Sequence, residues 1–239
     1  MTRIKLIKDD DGTWEWGHEK FFERIWNSYF RKKQGRRNDV YSNQYLKLLG
    51  IFDPIFEDAK NKCESEFTKT LLRFKGMRPP MLDPYQVMIK NGGALSEVCR
   101  NTREEPLKTT LALLSYGLIL ESSEPYEVLA NLLSIRAGDT YIVLTRFPLA
   151  NGRPLSPSAK IDKLIEIANA QGIHSLDNLK DEIGLDKDLR NGVFHSDYSM
   201  LNDRIIAGST HFTNERLHKL INYAQAYNDA FRTIFSFMF

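Results

Sequence analysis

An arginine, an asparagine and a histidine lie close together in the stretch DLRNGVFHSDY, which spans residues 188–198. Arg190 offers a permanent cation whose forked donors suit a phosphate group. His195 can accept or donate a proton at neutral pH, because the unperturbed pKa of histidine is about 6.5. Asn191 can orient a substrate or the imidazole. A proton-transfer group, a fixed cation and an orienting amide can together act on a phosphate ester, so these three residues are the candidate catalytic groups. The alternative is structural, because a lone histidine on a helix is more often an ordinary polar side chain and an Arg-Asn pair is usually a surface contact or a cap.

The local structure of this stretch can be interpreted in two ways. Asn191-Gly192 between apolar residues is a strong β-hairpin signal. A helix is favoured by acidic residues at its start and by apolar residues at steps of three and four, namely Leu185, Leu189, Val193 and Phe194. We predict a helix, in which Gly192 costs about 1 kcal/mol relative to alanine.

The helix determines how the three candidates can meet. Asn191 and His195 are four residues apart and share a face. Arg190 is displaced from His195 by about 140° at 3.6 residues per turn, so it must reach around the helix. Its long side chain can do so within one chain, or the same motif of a second copy can complete the site across a two-fold axis.

The order Arg190-Asn191-x-x-x-His195, followed by Ser196 and Tyr198 and by a long final helix, resembles the Arg-x4-6-His motif of HEPN domains (higher eukaryote and prokaryote nucleotide-binding). The resemblance covers roughly residues 105–239, and leaves residues 1–104 as a helical N-terminal region of unknown role. The sequence departs from the motif at Gly192, where the family usually has a larger residue. A glycine at this position makes the motif helix more pliable.

The resemblance implies an up-and-down helical bundle that forms a homodimer with both motif helices at the interface. It also implies a metal-independent, cofactor-free endoribonuclease that cleaves RNA by 2′-OH attack through Arg190, Asn191 and His195. Ser196 and Tyr198 are supporting contacts of the site. Tyr198 is more typical of a packed aromatic residue with a hydrogen-bonded hydroxyl group than of a catalytic residue. The family association points to a defence or toxin–antitoxin setting with a protein antitoxin or regulator. Because the family has inactive members, the alternative is a non-catalytic dimerisation, RNA-binding or protein-interaction module.

The charge balance restricts where RNA could bind. With 33 basic and 31 acidic residues the formal net charge is only +2, so any nucleic-acid site must be local. A second candidate site is the basic run that follows the aromatic residues Trp26, Tyr29 and Phe30, and its RNA-binding candidates are Arg31, Lys32, Lys33, Arg36 and Arg37. The alternative is that the aromatics belong to the core and the charges to a solvated helix end.

Cysteine usage and hydropathy predict a reduced, cytoplasmic protein. Cys63 and Cys99 have no CxxC or Cys/His spacing, and the first residues lack the apolar core of a signal peptide. The most apolar run, Leu111 to Leu120, is about half the ~20 residues that a membrane span needs, so we expect a buried helix and no membrane partner. His211 and His218 have no metal-binding motif around them, and no metal site is predicted.

Hydrophobic periodicity and capping signals predict an all-α protein of roughly eight helices. The first predicted helix spans Trp14 to Lys33. The further helix starts are Asp53-Pro54, Asp83-Pro84 (ended by Gly92-Gly93), Glu105-Pro106, Glu124-Pro125, Ser156-Pro157, Ser175 and Thr213, in addition to the motif helix. The segment TYIVLTRF, residues 140–147, is the best strand candidate, and a small extended excursion is expected around Arg204 to Ile206.

Overall fold

The computed structural model of the protein describes residues 40–74, 84–142, 145–201 and 204–237. The helix predicted from Trp14 to Lys33 and the basic run from Arg31 to Arg37 lie outside these residues. The described residues are mostly helical, so the predicted all-α class is confirmed.

The described ranges contain nine helices and three short strands. The helices are α1 Val40–Lys62, α2 Glu64–Phe74, α3 Pro84–Asn101, α4 Glu105–Glu121, α5 Glu124–Arg136, α6 Pro157–Asn169, α7 Leu179–Glu182, α8 Lys187–His195 and α9 Asn214–Phe237. The strands β1 Tyr198–Leu201, β2 Arg204–Ala207 and β3 Thr210–Thr213 form one antiparallel sheet in the order β1-β2-β3. No helix in the described part of the chain combines the length and the apolar character of a bilayer-spanning segment.

Helix α5 lies at the centre of the fold. Every residue from Glu124 to Ile135 is buried, and α1, α2 and α6 pack around this helix. The last helix, α9, lies along α1, with the Phe231 ring 5.7 Å from that of Phe52 and 5.6 Å from that of Phe56. The aromatic residues of the last helix thus pack onto an N-terminal helix. The hydrophobic core therefore contains residues from both sides of residue 104, and the division of the chain into residues 1–104 and 105–239 stays a prediction.

Several predicted elements are present where local signals placed them. Helices α4 and α5 begin at Glu105 and Glu124, next to their prolines. Ser156 caps α6 by accepting a hydrogen bond from the Ala159 N–H at 3.3 Å, and Thr213 caps α9 in the same way. The predicted extended excursion is the three-stranded sheet.

The predicted helix start at Asp53-Pro54 is wrong, because one continuous helix runs from Val40 to Lys62. Proline within a helix leaves the carbonyl group four residues earlier without its N–H partner. Here Pro54 and Gly50 both lie on the exposed side of α1, where water can replace the missing N–H donor. The opposite side carries Phe52 and Phe56 into the core, and this burial keeps the helix continuous.

Two other helix boundaries differ from the prediction. Gly92-Gly93 does not end α3, which continues to Asn101 because its tertiary packing against α4 outweighs a propensity cost of about 1 kcal/mol per glycine. The short helix predicted from Ser175 begins later, at Leu179, because the preceding residues form turns in which the Leu179 N–H donates to the Leu176 carbonyl at 2.9 Å.

The strand predicted at residues 140–147 is also wrong. Its described residues are irregular, and Val143 and Leu144 lie outside the description. The segment, which we call the α5 loop, bonds to polar side chains of neighbouring helices instead of to another strand. The backbone N–H bonds run from Tyr141 to Glu66 (2.7 Å), from Ile142 to Asn131 (2.9 Å) and from Arg146 to Glu127 (3.0 Å). Side-chain oxygens therefore accept these three N–H bonds in place of the strand ladder that the sequence predicted.

We expect Asn131→Ala to release the α5 loop. The buried amide of Asn131 accepts from Ile142 N–H and from Arg146 Nε (2.8 Å), and the substitution removes both hydrogen bonds, which costs about 1–3 kcal/mol. Trypsin should then cleave after Arg146 faster than in the wild type. Asn169→Ala, at the exposed end of α6, is the control and should leave the digestion unchanged. Equal cleavage rates after Arg146 in both variants would contradict the assigned role.

Candidate active site

The motif stretch forms α8, as predicted, and both ends of this helix are closed by local bonds. Asp186 caps the start, where its Oδ1 accepts the backbone N–H groups of Asp188 (3.1 Å) and Leu189 (3.0 Å). At the other end Ser196 adopts a left-handed conformation with φ 54°, and the Asp197 N–H donates to the Gly192 carbonyl at 2.9 Å. His195 is thus the last helical residue.

Gly192 has a packing role that was not foreseen. It is buried where α8 crosses the sheet, and a Cβ atom at this position would lie only 2.7 Å from the Cβ of Ala207 on β2. The close approach of α8 to β2 therefore depends on the missing side chain. Gly192, at which the motif differs from the pattern usual in HEPN domains, is thus the position of this contact.

Arg190 is held by a carboxylate from a different helix. Its Nε and one terminal nitrogen both bind Oε1 of Glu121, the last residue of α4, and its other terminal nitrogen donates to Oδ1 of Asn191 at 3.0 Å. The side chains of Arg190 and Glu121 are 20% and 32% exposed, so water reaches the pair. The structure brings Arg190 and Asn191 together, and adds Glu121, which the sequence analysis missed.

His195 stands apart from these contacts. Its side chain is exposed at the end of α8 and, within the described ranges, makes no hydrogen bond or ion pair. Asn191 lies one turn earlier on the same face, half-buried. A single chain thus presents an arginine–amide pair and a solvent-facing imidazole on one helix, without a direct bond between Arg190 and His195.

The two supporting residues have mainly structural positions. Ser196 is exposed and ends the helix. Tyr198 is half-buried against the hydrophobic core and pairs with Ala207 in the sheet. The five basic candidates Arg31, Lys32, Lys33, Arg36 and Arg37 lie outside the described residues, so their contribution to RNA binding stays a prediction.

A buried hydroxyl group fixes the start of α8. The Tyr116 side chain, on α4, donates to the Gly184 carbonyl at 2.9 Å and accepts the Asp186 N–H at 3.1 Å. Burial raises the pKa of this hydroxyl, so it remains protonated and can donate. Arg216 on α9 binds the other carboxylate oxygen of Asp186 at 2.7 Å. No local pattern in the sequence could have linked these residues, because the contacts join distant segments.

The N-terminal end of α8 borders a polar cleft of about 440 Å³. Two ion pairs line it, Arg216 with Asp186 and Lys47 with Glu182, the latter at 2.6 Å. The cleft therefore lies at the opposite end of α8 from His195, and its two ion pairs tie α9 to the start of α8 and α1 to α7. Among the described residues no group of three or more histidine, cysteine or acidic side chains could hold a metal ion.

The comparisons with known proteins do not assign this chain to a family: no family model matches it, and no curated protein or solved structure is significantly similar to it. The class of protein must therefore be inferred from the site itself.

We expect Gly192→Ala to destabilise the protein by about 1–3 kcal/mol, since the new methyl group would collide with Ala207 on β2. Gly50→Ala is the matched control, because Gly50 is an exposed helical glycine with nothing within 4 Å of the new Cβ. That change should stabilise α1 by up to about 1 kcal/mol. Urea unfolding of both variants measures the difference, and a Gly192→Ala protein as stable as Gly50→Ala would show that the contact is not tight.

Proposed function

We propose that this protein is a metal-independent endoribonuclease of the HEPN type that acts on RNA as a homodimer. The observation that carries the proposal is the arrangement on α8, where the Arg190 guanidinium bonds to Asn191 and the His195 imidazole is open to solvent on the face of Asn191. A cation and a solvent-accessible imidazole on one helix are groups that 2′-OH attack on a phosphodiester can use.

In the proposed reaction an imidazole of His195 takes the proton from the 2′-OH group while the 2′-oxygen forms a bond to phosphorus. Arg190 stabilises the charge on the phosphorane oxygens. The bond from phosphorus to the 5′-oxygen then breaks, and an imidazolium donates a proton to that oxygen. The products are a 2′,3′-cyclic phosphate and a 5′-hydroxyl. One chain carries one such histidine, so a second copy supplies the acid while the first acts as the base.

An apolar face next to the motif supports pairing of two copies. It consists of half-exposed side chains from α4, α8 and β1, namely Leu107, Leu114, Phe194, Met200 and Leu201, each 40–49% exposed. The Phe194 ring lies against Gly117, and the Thr110 hydroxyl lies 3.9 Å from the Met200 sulfur, so α4 contacts both other elements. Apolar side chains grouped around a polar site are typical of an interaction surface.

The proposed setting is the cytoplasm, in a defence or toxin–antitoxin system with a protein antitoxin or regulator. The free thiols of Cys63 and Cys99 agree with a reducing compartment. The biological system and the regulator rest on the resemblance of the motif to HEPN domains alone.

A non-catalytic module that binds RNA or a protein is the second candidate. The ion pair between Arg190 and Glu121 favours it, because a guanidinium that is neutralised by a carboxylate can be purely structural. In that case the polar groups of α8 would hold helices together, and His195 would be an ordinary surface residue.

Catalysis can be tested with single-stranded RNA in the presence of EDTA. We expect cleavage with 2′,3′-cyclic phosphate ends, and we expect His195→Ala to lower the rate by about 10²–10⁴-fold because the proton-transfer group is lost. His218→Ala, which removes another exposed histidine, should cleave normally. A wild-type protein that is inert toward varied RNAs would favour the non-catalytic module.

Pairing through the apolar face can be tested by light scattering. We expect a dimer at micromolar concentration for the wild type and a monomer for Leu114→Glu, because the new charge cannot be buried at the interface. Leu149→Glu is the control, since Leu149 is 59% exposed in a loop that does not belong to the apolar face. Circular dichroism should show both variants folded. A monomeric wild type would exclude a site shared between copies.

A further inference from the structure

Glu121 occupies the position at Arg190 that an anionic substrate would need. Two nitrogens of the guanidinium bind Oε1 of this carboxylate, and the third binds the Asn191 amide. All three nitrogens are therefore engaged by protein groups. A carboxylate and a phosphodiester offer an arginine similar oxygen acceptors, so they compete for the same donors.

The stability of α4 does not explain a glutamate at this position. Glu121 is the last residue of the helix, where the negative end of the helix dipole makes an acidic side chain unfavourable. The guanidinium of Arg190 compensates that charge. Because the pair is partly open to water, its net strength is modest and a stronger anion can replace it.

We propose that Glu121 is a built-in competitor of the RNA phosphate at Arg190. Without RNA it holds the guanidinium against Asn191, and with RNA the phosphodiester displaces it. Glu121 thereby sets the affinity of the site for its substrate. This inference rests on the proposed function, since it specifies how that same site controls binding of a phosphodiester.

The first measurement is the binding of a fluorescent single-stranded RNA in the His195→Ala background, which separates affinity from cleavage. Glu121→Gln keeps the size of the side chain and removes its charge, and we expect it to tighten binding about two- to fivefold. Adding Arg190→Ala should abolish this gain. Glu105→Gln, at the other end of α4 and 79% exposed, makes the same charge change and should not tighten binding.

The second measurement does not need RNA. Phenylglyoxal modifies accessible arginines, and peptide mass spectrometry can report its rate at Arg190 with inorganic phosphate as a protecting anion. We expect faster modification in Glu121→Gln than in the wild type, together with protection at lower phosphate concentration. Glu105→Gln should behave as the wild type does.

The outcomes distinguish this inference from the proposed function. Unchanged modification of Arg190 in Glu121→Gln would overturn the competition. Faster modification with weaker RNA binding would overturn it as well, because Glu121 would then be needed to position Arg190. If none of the proteins binds RNA, the proposed function fails, while phosphate protection of Arg190 still decides whether Glu121 competes with an anion.

Discussion

The geometry of the candidate site depends on the hydrogen bonds of one buried hydroxyl group, that of Tyr116. They hold the turn before α8 at Gly184 and Asp186. A hydrogen bond in a buried environment is strong, and an unpaired group there is costly, so this turn has little freedom. Tyr116 and Glu121 both belong to α4, and α4 thus determines where the motif helix begins and also which carboxylate meets Arg190.

Contact with the sheet sets the second constraint on α8. Gly192 lies against Ala207, and the Thr210 hydroxyl bonds to the carboxylate of Asp188. The helix is therefore held at its start by α4 and along its length by β2 and β3. These two supports hold α8 in place, while His195 at its C-terminal end is exposed to solvent. A helix that is held by its neighbours can present a reactive group in a defined position.

Local signals in the sequence were sufficient for the elements that depend on local bonds. The capped starts of α6 and α9 were predicted because a side-chain oxygen and its N–H partner are three residues apart. The same holds for α8, whose apolar spacing outweighed the hairpin signal of Asn191-Gly192.

Predictions failed where contacts with distant residues determine the structure. The continuity of α1 through Pro54 and the irregular α5 loop both follow from tertiary contacts. Glu121 was missed for the same reason, because it lies 69 residues from Arg190 in the sequence.

The pairing of α1 with α9 has a consequence for folding kinetics. The hydroxyl groups of Tyr45 and Thr233 bond at 2.9 Å although 188 residues separate them along the chain. Contacts of such high sequence separation form slowly, because a long loop must close before they contribute. Nearby pairs such as α3 with α4 can form earlier. Until α9 reaches α1, Phe52 and Phe56 lack their ring contacts with Phe231, so we expect this part of the core to close late in folding.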